Sequence, residues 1–79
     1  MSQYRFTIFL YPEPEEGGYS VAVPALPGCH TQGDSLEEAI AMAKDAIKLY
    51  VEDLIASGEP VPVETEPHQA IVVTVDAAA

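Results

Sequence analysis

"GDSLEEAIAMAKDAIKLYVEDLIASGEP", residues 33–60, predicts one long helix around which the rest of the chain must fold. Ser35 is a suitable N-cap, and Glu38 follows three residues later, which is the spacing of a capping box. Gly58 is a natural residue to follow the last turn, and the proline two residues beyond it cannot continue a helix. We therefore expect a helix over about 36–57, roughly 33 Å long at 1.5 Å per residue.

The apolar residues of this helix recur at helical spacing and form an unusually wide arc. The stripe expected to pack on a sheet comprises Leu36, Ile40, Ala43, Ile47, Tyr50, Val51 and Leu54. Beside it, Met42, Ala46 and Leu49 form a second apolar strip, here called the helix shoulder. The helix is also longer than a seven-residue strand, which spans only about 23 Å. We expect the shoulder to be an oligomer interface or a partner contact; the alternative is that the C-terminal segment folds back over it.

Three strands are predicted before the helix. Residues 3–11 and 18–24 alternate apolar and polar positions and are rich in aromatic and β-branched side chains, which is typical of strands. Prolines and the Gly17–Gly18 pair separate them, so a hairpin is the simplest connection. Residues 29–32 are a short third strand, expected at an edge of the sheet.

A fourth strand is predicted after the helix, over residues 70–75, "AIVVTV". A helix between two strands favours a right-handed crossover that returns the last strand into the same sheet. We therefore expect an α+β fold, a two-layer sandwich of order β-β-β-α-β with one mostly antiparallel sheet and one long helix. Residues 1–79 suffice for a single small domain.

The segment "VPALPGCHTQGDS", residues 23–35, contains the only cysteine beside a histidine and could be a nucleophilic site. Adjacent residues of an extended segment point to opposite faces, however, so Cys29 and His30 are poorly placed to share a proton. His68, the only other histidine, lies in a predicted loop. We interpret the segment as a structural corner stiffened by prolines and turned at glycines.

No other pattern indicates catalysis or a cofactor. The cysteine and the two histidines lack the ligand spacing of a zinc site. No carboxylate lies inside a predicted strand, where a two-metal nuclease would need them. The corner also lacks the Lys-Ser/Thr of a phosphate-binding loop. We expect no enzyme, no catalytic residues, no metal and no cofactor.

The charge is strongly negative, with 13 Asp and Glu against 3 Lys and Arg and a net charge of −10. Nucleic-acid binding requires cations that replace phosphate counterions, so we expect no direct nucleic-acid binding. A basic protein partner suits this charge, although solubility alone explains it equally well. One cysteine cannot form an intramolecular disulfide, and no segment resembles a leader or a membrane span, so we expect a cytoplasmic protein without membrane association.

The sequence from about Tyr4 to Pro62, and most clearly from Gly17 onward, resembles the N-terminal domain of the HicB antitoxin family. The resemblance rests on Gly-Tyr followed by alternating small and apolar residues, and then on an ordered Pro-x-Leu-Pro-Gly-Cys-x-Thr-x-Gly-Asp-Ser-Leu-Glu-Glu-Ala run. The family-motif positions in this chain, structural or partner-facing, are Gly18, Tyr19, Pro27, Gly28, Cys29, Gly33, Asp34, Ser35 and Leu36.

The resemblance implies a partial ribonuclease-H-like fold without nuclease carboxylates and a homo-oligomer, most often a dimer. It also implies that the chain neutralises a small basic, mRNA-cleaving HicA-like toxin within a type II toxin–antitoxin system. Family members commonly carry a C-terminal DNA-binding domain; since the residues after Asp76 contain no basic patch, operator binding and autoregulation are not expected from this sequence. The alternative function is that of a solitary oligomeric domain with a structural or small-ligand-binding role and no toxin partner.

Overall fold

The computed structural model describes residues 4–64 and 72–77 and contains one antiparallel sheet and one long helix. The elements are β1 (Phe9–Pro12), β2 (Tyr19–Ala22), β3 (His30–Gly33) and α1 (Leu36–Ala56). The strands are ordered β1-β2-β3, so β3 is an edge strand, as predicted. The α+β class and the order of three strands followed by the helix are confirmed.

The β1–β2 hairpin is closed by the two glycines that the sequence singles out. Gly17 and Gly18 have φ of 79° and 78°, a conformation that costs glycine little and other residues more. The Gly17 N–H donates to the Glu13 carbonyl at 2.7 Å, and the Glu13 N–H donates to the Gly18 carbonyl at 2.9 Å. These bonds set the register in which Pro12 lies opposite Tyr19.

β1 is shorter than predicted and begins at Phe9 instead of residue 3, which lies outside the described residues. The β1–β2 ladder starts at the pair Phe9–Ala22. Beyond Ala22 the second strand turns into the corner, where Pro24 has no N–H to donate. Residues 4–8, which precede β1, therefore do not pair with β2. Ile8 nevertheless packs against both core clusters.

The helix begins and ends close to where its signals predict. The Ser35 side chain accepts a hydrogen bond from the Glu38 N–H at 3.1 Å, which is the N-cap expected from the sequence. At the other end Ser57 is the C-cap, and Gly58 has φ of 73°. The Gly58 N–H donates to Ile55, and the Glu59 N–H donates to Leu54, which satisfies carbonyls of the last turn.

The core consists of two small clusters between the sheet and the helix. The first contains Val21, Ala39 and Ala43, with Ile8, Leu10 and Tyr19 packed against it. The second contains Val23, Leu26 and Cys29, with Phe6, Ile8, Ala46, Ile47 and Tyr50 around it. The helix packs chiefly on β3. Two of its three buried residues, Ala39 and Ala43, are alanines.

The predicted helix stripe was wrong at its N-terminal end. Leu36 and Ile40 are 48% and 36% exposed, because Ala39 and Ala43 occupy the contact with the sheet. Ala46, assigned to the shoulder, is half-buried against the second cluster. The other two shoulder residues, Met42 and Leu49, are 42% and 67% exposed.

The predicted fourth strand is not formed in the part of it that the structure describes. Residues 72–75 of the predicted 70–75 strand have no strand partner, and residues 70–71 lie outside the described residues. All of residues 72–77 are exposed. The pattern of alternating valines is that of a strand, but a strand also needs an edge to pair with, and the sequence does not specify that edge.

Gly33 is required by the close approach of α1 to the end of β3. A Cβ atom built on Gly33 lies 2.6 Å from the Ala39 Cα and 2.8 Å from the Glu38 carbonyl carbon, and it also collides with the Ala39 nitrogen. These neighbours are backbone atoms of the first helical turns and cannot rotate away. The helix can therefore dock on β3 only where residue 33 has no side chain.

We expect Gly33→Ala to lower the free energy of unfolding by about 3 kcal/mol, as overpacking does in a site that cannot relax. Gly28→Ala is the matched control, because Gly28 has φ of 81° but no atom within 4 Å of an added Cβ. Its cost is that of the left-handed backbone alone, about 1 kcal/mol. Urea denaturation measures both values, and a Gly33→Ala protein as stable as the control contradicts the close approach.

Candidate partner-binding surface

The corner between β2 and β3 is a compact hydrogen-bonded loop and not an open site. The Leu26 N–H donates to the Val23 carbonyl at 3.0 Å, and the Cys29 N–H donates to the Leu26 carbonyl at 3.0 Å. The Val23 N–H donates to the Cys29 carbonyl at 3.2 Å and closes the loop. Leu26 is completely buried beneath it. The corner therefore supplies the buried residues of the second core cluster, Val23, Leu26 and Cys29.

A tyrosine of the helix forms a hydrogen bond to the corner. The Tyr50 hydroxyl donates to the Pro27 carbonyl at 2.8 Å, which joins the middle of α1 to the tip of the corner. Pro27 and Gly28 are exposed at that tip, and the positive φ of Gly28 turns the chain back toward β3. Pro27 and Gly28, both family-motif residues, therefore form the turn at the tip of the corner.

Cys29 and His30 point to opposite sides of the sheet, as the sequence predicts. Cys29 is 5% exposed in the core, whereas His30 is exposed. Desolvation by burial raises the pKa of the Cys29 thiol above its ordinary value of 9.0. The thiolate is therefore scarce at neutral pH, and no base on the neighbouring residue reaches it.

Two glycines bring the β1–β2 turn against the start of the helix. Tyr19 pairs with Gly33 across β2 and β3, which places Gly18 beside Asp34. A Cβ on Gly18 collides with the Gly33 carbonyl oxygen and lies 3.0 Å from the Asp34 Cα. Gly18, Gly33 and the helix start therefore form one backbone stack, here called the glycine junction.

The remaining family-motif residues complete this junction. The Asp34 N–H donates to Glu38 Oε1 at 3.1 Å while Ser35 accepts from the Glu38 N–H, so the first turn is capped reciprocally. Tyr19 is half-buried against the first core cluster. Leu36, by contrast, is 48% exposed and is available to a partner.

Four carboxylates surround a depression at the glycine junction. Glu13, Glu15 and Glu16 come from the β1–β2 turn, and Asp34 comes from the residue before the N-cap. The depression has a volume of about 480 Å³, and Tyr19, Ser20 and Gln32 are among the residues that line its floor. We call it the acidic depression. Its four carboxylate side chains are exposed, and Ser20 and Gln32 add hydrogen-bonding groups.

Sequence reasoning missed this cluster. The carboxylates of residues 13–16 and the Asp34 carboxylate lie about twenty residues apart in the chain, and no sequence pattern connects them. The signal that could have joined them is the strand register, because pairing Tyr19 with Gly33 forces residues 18 and 34 together. That register depends on the glycine junction, which no local pattern reveals.

Within residues 4–64 and 72–77, no three His, Cys, Asp or Glu side chains are arranged to hold a metal ion. His68 lies outside these residues. In the same ranges, no helix has the length and apolarity needed to cross a bilayer.

The described residues form an α+β fold with an acidic depression at one end of the sheet. In a comparison with known protein families, residues 6–77 match the family described as "HicB_like antitoxin of bacterial toxin-antitoxin system". The chain belongs to the HicB-like antitoxin family.

Individual relatives agree with this assignment. A UPF0150 protein of Synechocystis is 51% identical over 61 residues, which cover 77% of this chain and 76% of that protein. Antitoxin HicB of Escherichia coli is 37% identical over 68 residues, 81% of this chain and 49% of the relative. Antitoxin HicB 1 of Photorhabdus laumondii is 43% identical over 58 residues, 73% of this chain and 37% of the relative. The chain thus matches half or less of the length of these two antitoxins.

We expect the Cys29 thiol to react with iodoacetamide at neutral pH about 100-fold more slowly than an exposed thiol, because it is desolvated and protonated. The control is His30→Cys in a Cys29→Ala background, which moves the thiol one residue along β3 to the exposed face. Mass spectrometry follows both reactions, and unfolding in guanidinium should equalise them. Equal rates in the folded proteins contradict the buried placement.

Proposed function

We propose that this chain is an antitoxin that binds a small basic, RNA-cleaving toxin of the HicA-like type and blocks it by protein–protein contact. The observation that carries the proposal is membership of the HicB-like antitoxin family over residues 6–77. The acidic depression supplies the surface. The proposed setting is the bacterial cytoplasm, where such a toxin meets mRNA.

Electrostatics favour the acidic depression as the toxin-facing surface. A ribonuclease must hold the phosphate backbone of its substrate with Lys and Arg side chains. Four carboxylates around one depression match such a surface and compete with RNA for it. Charge complementarity of this kind accelerates association and selects the partner. Inhibition then needs only occupation, with no catalytic group in the antitoxin.

The glycine junction gives this surface a fixed shape. The β1–β2 turn is held by two backbone hydrogen bonds, and the helix start is capped by Ser35 and Glu38. The carboxylates are consequently presented from two rigid elements, which lowers the entropy lost when a partner binds. Leu36, exposed beside them, adds an apolar contact.

A second candidate is a solitary oligomeric domain with a structural or small-ligand-binding role. It is favoured by relatives of similar length, such as the Synechocystis and Thermoplasma acidophilum proteins, whose UPF0150 names state no toxin. In either case we propose a homo-oligomer in which Met42 and Leu49 of the helix shoulder contact another copy. Ala46 contributes less to that contact, because it is already packed in the core.

The proposed function predicts that a small basic, RNA-cleaving protein is encoded beside this gene, and binding to that protein tests it. We expect the triple variant Glu13→Gln, Glu15→Gln, Asp34→Asn to bind it about 100-fold more weakly, because attraction at the acidic depression is lost. Calorimetry at fixed salt gives the affinities, and protection of RNA from the toxin gives the matching activity.

The control removes three charges elsewhere on the same chain, through Asp45→Asn, Asp53→Asn and Glu59→Gln. These residues are exposed and lie outside the acidic depression. We expect the control to bind within about threefold of the wild type, as screened distant charges do. Equal losses in both triples contradict the assigned surface, and a wild type that does not bind the toxin contradicts the antitoxin function.

A further inference from the structure

All three basic residues of this acidic chain lie at one groove. Arg5, Lys44 and Lys48 line it together with Tyr4, Phe6, Ile47, Val51 and Glu52. The groove runs between the segment that precedes β1 and the middle of α1 and has a volume of about 780 Å³. It contains no residue of the acidic depression. With 13 acidic residues in the chain, the gathering of every Lys and Arg at one apolar groove indicates an acidic and apolar occupant.

The chain itself contains a segment of that chemistry. Val72, Val73 and Val75 are 93%, 69% and 78% exposed, and the carboxylate of Asp76 follows them directly. Such exposure of three β-branched side chains in one run marks a contact surface. We call residues 72–76 the arm.

The arm is not seated on the groove of its own chain. Every residue of the arm is exposed, whereas in the groove Val51 is buried and Phe6 and Ile47 are half-buried against the second core cluster. The radius of gyration is 15.0 Å, compared with about 12 Å for a compact chain of this length. The chain is therefore drawn out beyond a compact body, with apolar surface left uncovered at both the arm and the groove.

We infer that the arm of one copy lies in the groove of a second copy, and that the exchange is reciprocal. The valines cover the Tyr4, Phe6 and Ile47 side chains, and the Asp76 carboxylate approaches the Lys and Arg side chains. A reciprocal exchange obeys two-fold symmetry, so it closes after two copies and does not propagate into a fibre. It also enlarges a core that is small in the single chain, which is how many small domains gain stability.

The surrounding charge argues against a basic occupant. A basic toxin is repelled by Arg5, Lys44 and Lys48 and attracted to the acidic depression. Within the groove, Lys44, Ile47 and Val51 lie about 140° or more around α1 from Met42 and Leu49, since the helix turns 100° per residue. Arm exchange is thus separate both from toxin binding and from contact through the helix shoulder.

Site-directed cross-linking between two differently tagged chains tests the exchange. Both chains carry Cys29→Ala; one adds Glu52→Cys in the groove and the other adds Val73→Cys in the arm. After the two are refolded together, a short bifunctional maleimide should link them into a species that carries both tags. The matched control places the first cysteine at Met42→Cys, on the helix shoulder and about 15 Å along α1 from Glu52, and should give no such link.

Each result decides between occupants. A doubly tagged product at Glu52→Cys but not at Met42→Cys supports exchange. A link that forms only within one chain carrying both cysteines shows that the arm folds back on its own groove and overturns the proposal. Absence of both links, or equal links at both positions, also overturns it.

Charge reversal supplies an independent readout in full chains. The double variant Lys44→Glu, Lys48→Glu should raise the dimer dissociation constant, measured by analytical ultracentrifugation, at least about tenfold. The charge-conserving control Lys44→Arg, Lys48→Arg should stay within about threefold of the wild type. Circular dichroism checks that both remain helical. A dimer insensitive to the reversal, or a wild type that is monomeric, contradicts arm exchange.

Discussion

The contact of three backbone segments at the glycine junction is the constraint on which the rest of this structure depends. Gly18 and Gly33 lie so close to one another and to the first helical turns that neither position accepts a side chain. The close contact of Gly33 with the helix determines how α1 docks on β3. As a result Ala39 and Ala43 are the helix residues that pack in the first core cluster. The same contact gathers the carboxylates of the β1–β2 turn and the helix start on one side. Packing and surface charge thus have a common cause.

Much of the fold could be predicted from local signals. The helix is bounded by an N-cap and a positive-φ glycine, and both occur within one residue of where the sequence places them. The hairpin follows from the Gly17–Gly18 pair, and the opposite orientation of Cys29 and His30 follows from the period of an extended chain. Each of these features depends on interactions between residues close in sequence.

The rest depends on contacts between distant segments. The exposure of Leu36 and Ile40 follows from the docking depth of the helix, which Gly33 determines. Ala46 is half-buried because it packs against Leu26 and Cys29 of the corner between β2 and β3. The acidic depression likewise exists only once the strand register is known. Hydrophobic periodicity contains none of this information.

The charge of the chain is divided between two surfaces with opposite preferences. Carboxylates dominate the depression at the glycine junction, whereas every Lys and Arg lies at the groove between the segment before β1 and α1. In the proposed function the first surface meets a basic toxin and the second meets an acidic arm of another copy. Segregation of this kind lets one small domain bind a partner and a copy of itself without competition between the two, because like charges repel the wrong occupant from each surface.

The most direct test of this account is amide hydrogen exchange of the chain alone and in complex with the toxin. The amides of residues 13–18 and 34–37 lie in the turn and at the start of the helix, where few of them have helix or ladder partners. The account predicts that toxin binding slows exchange at these two segments together and leaves residues 44–52 unchanged. Protection confined to residues 44–52, or no protection at either of the two segments, contradicts it.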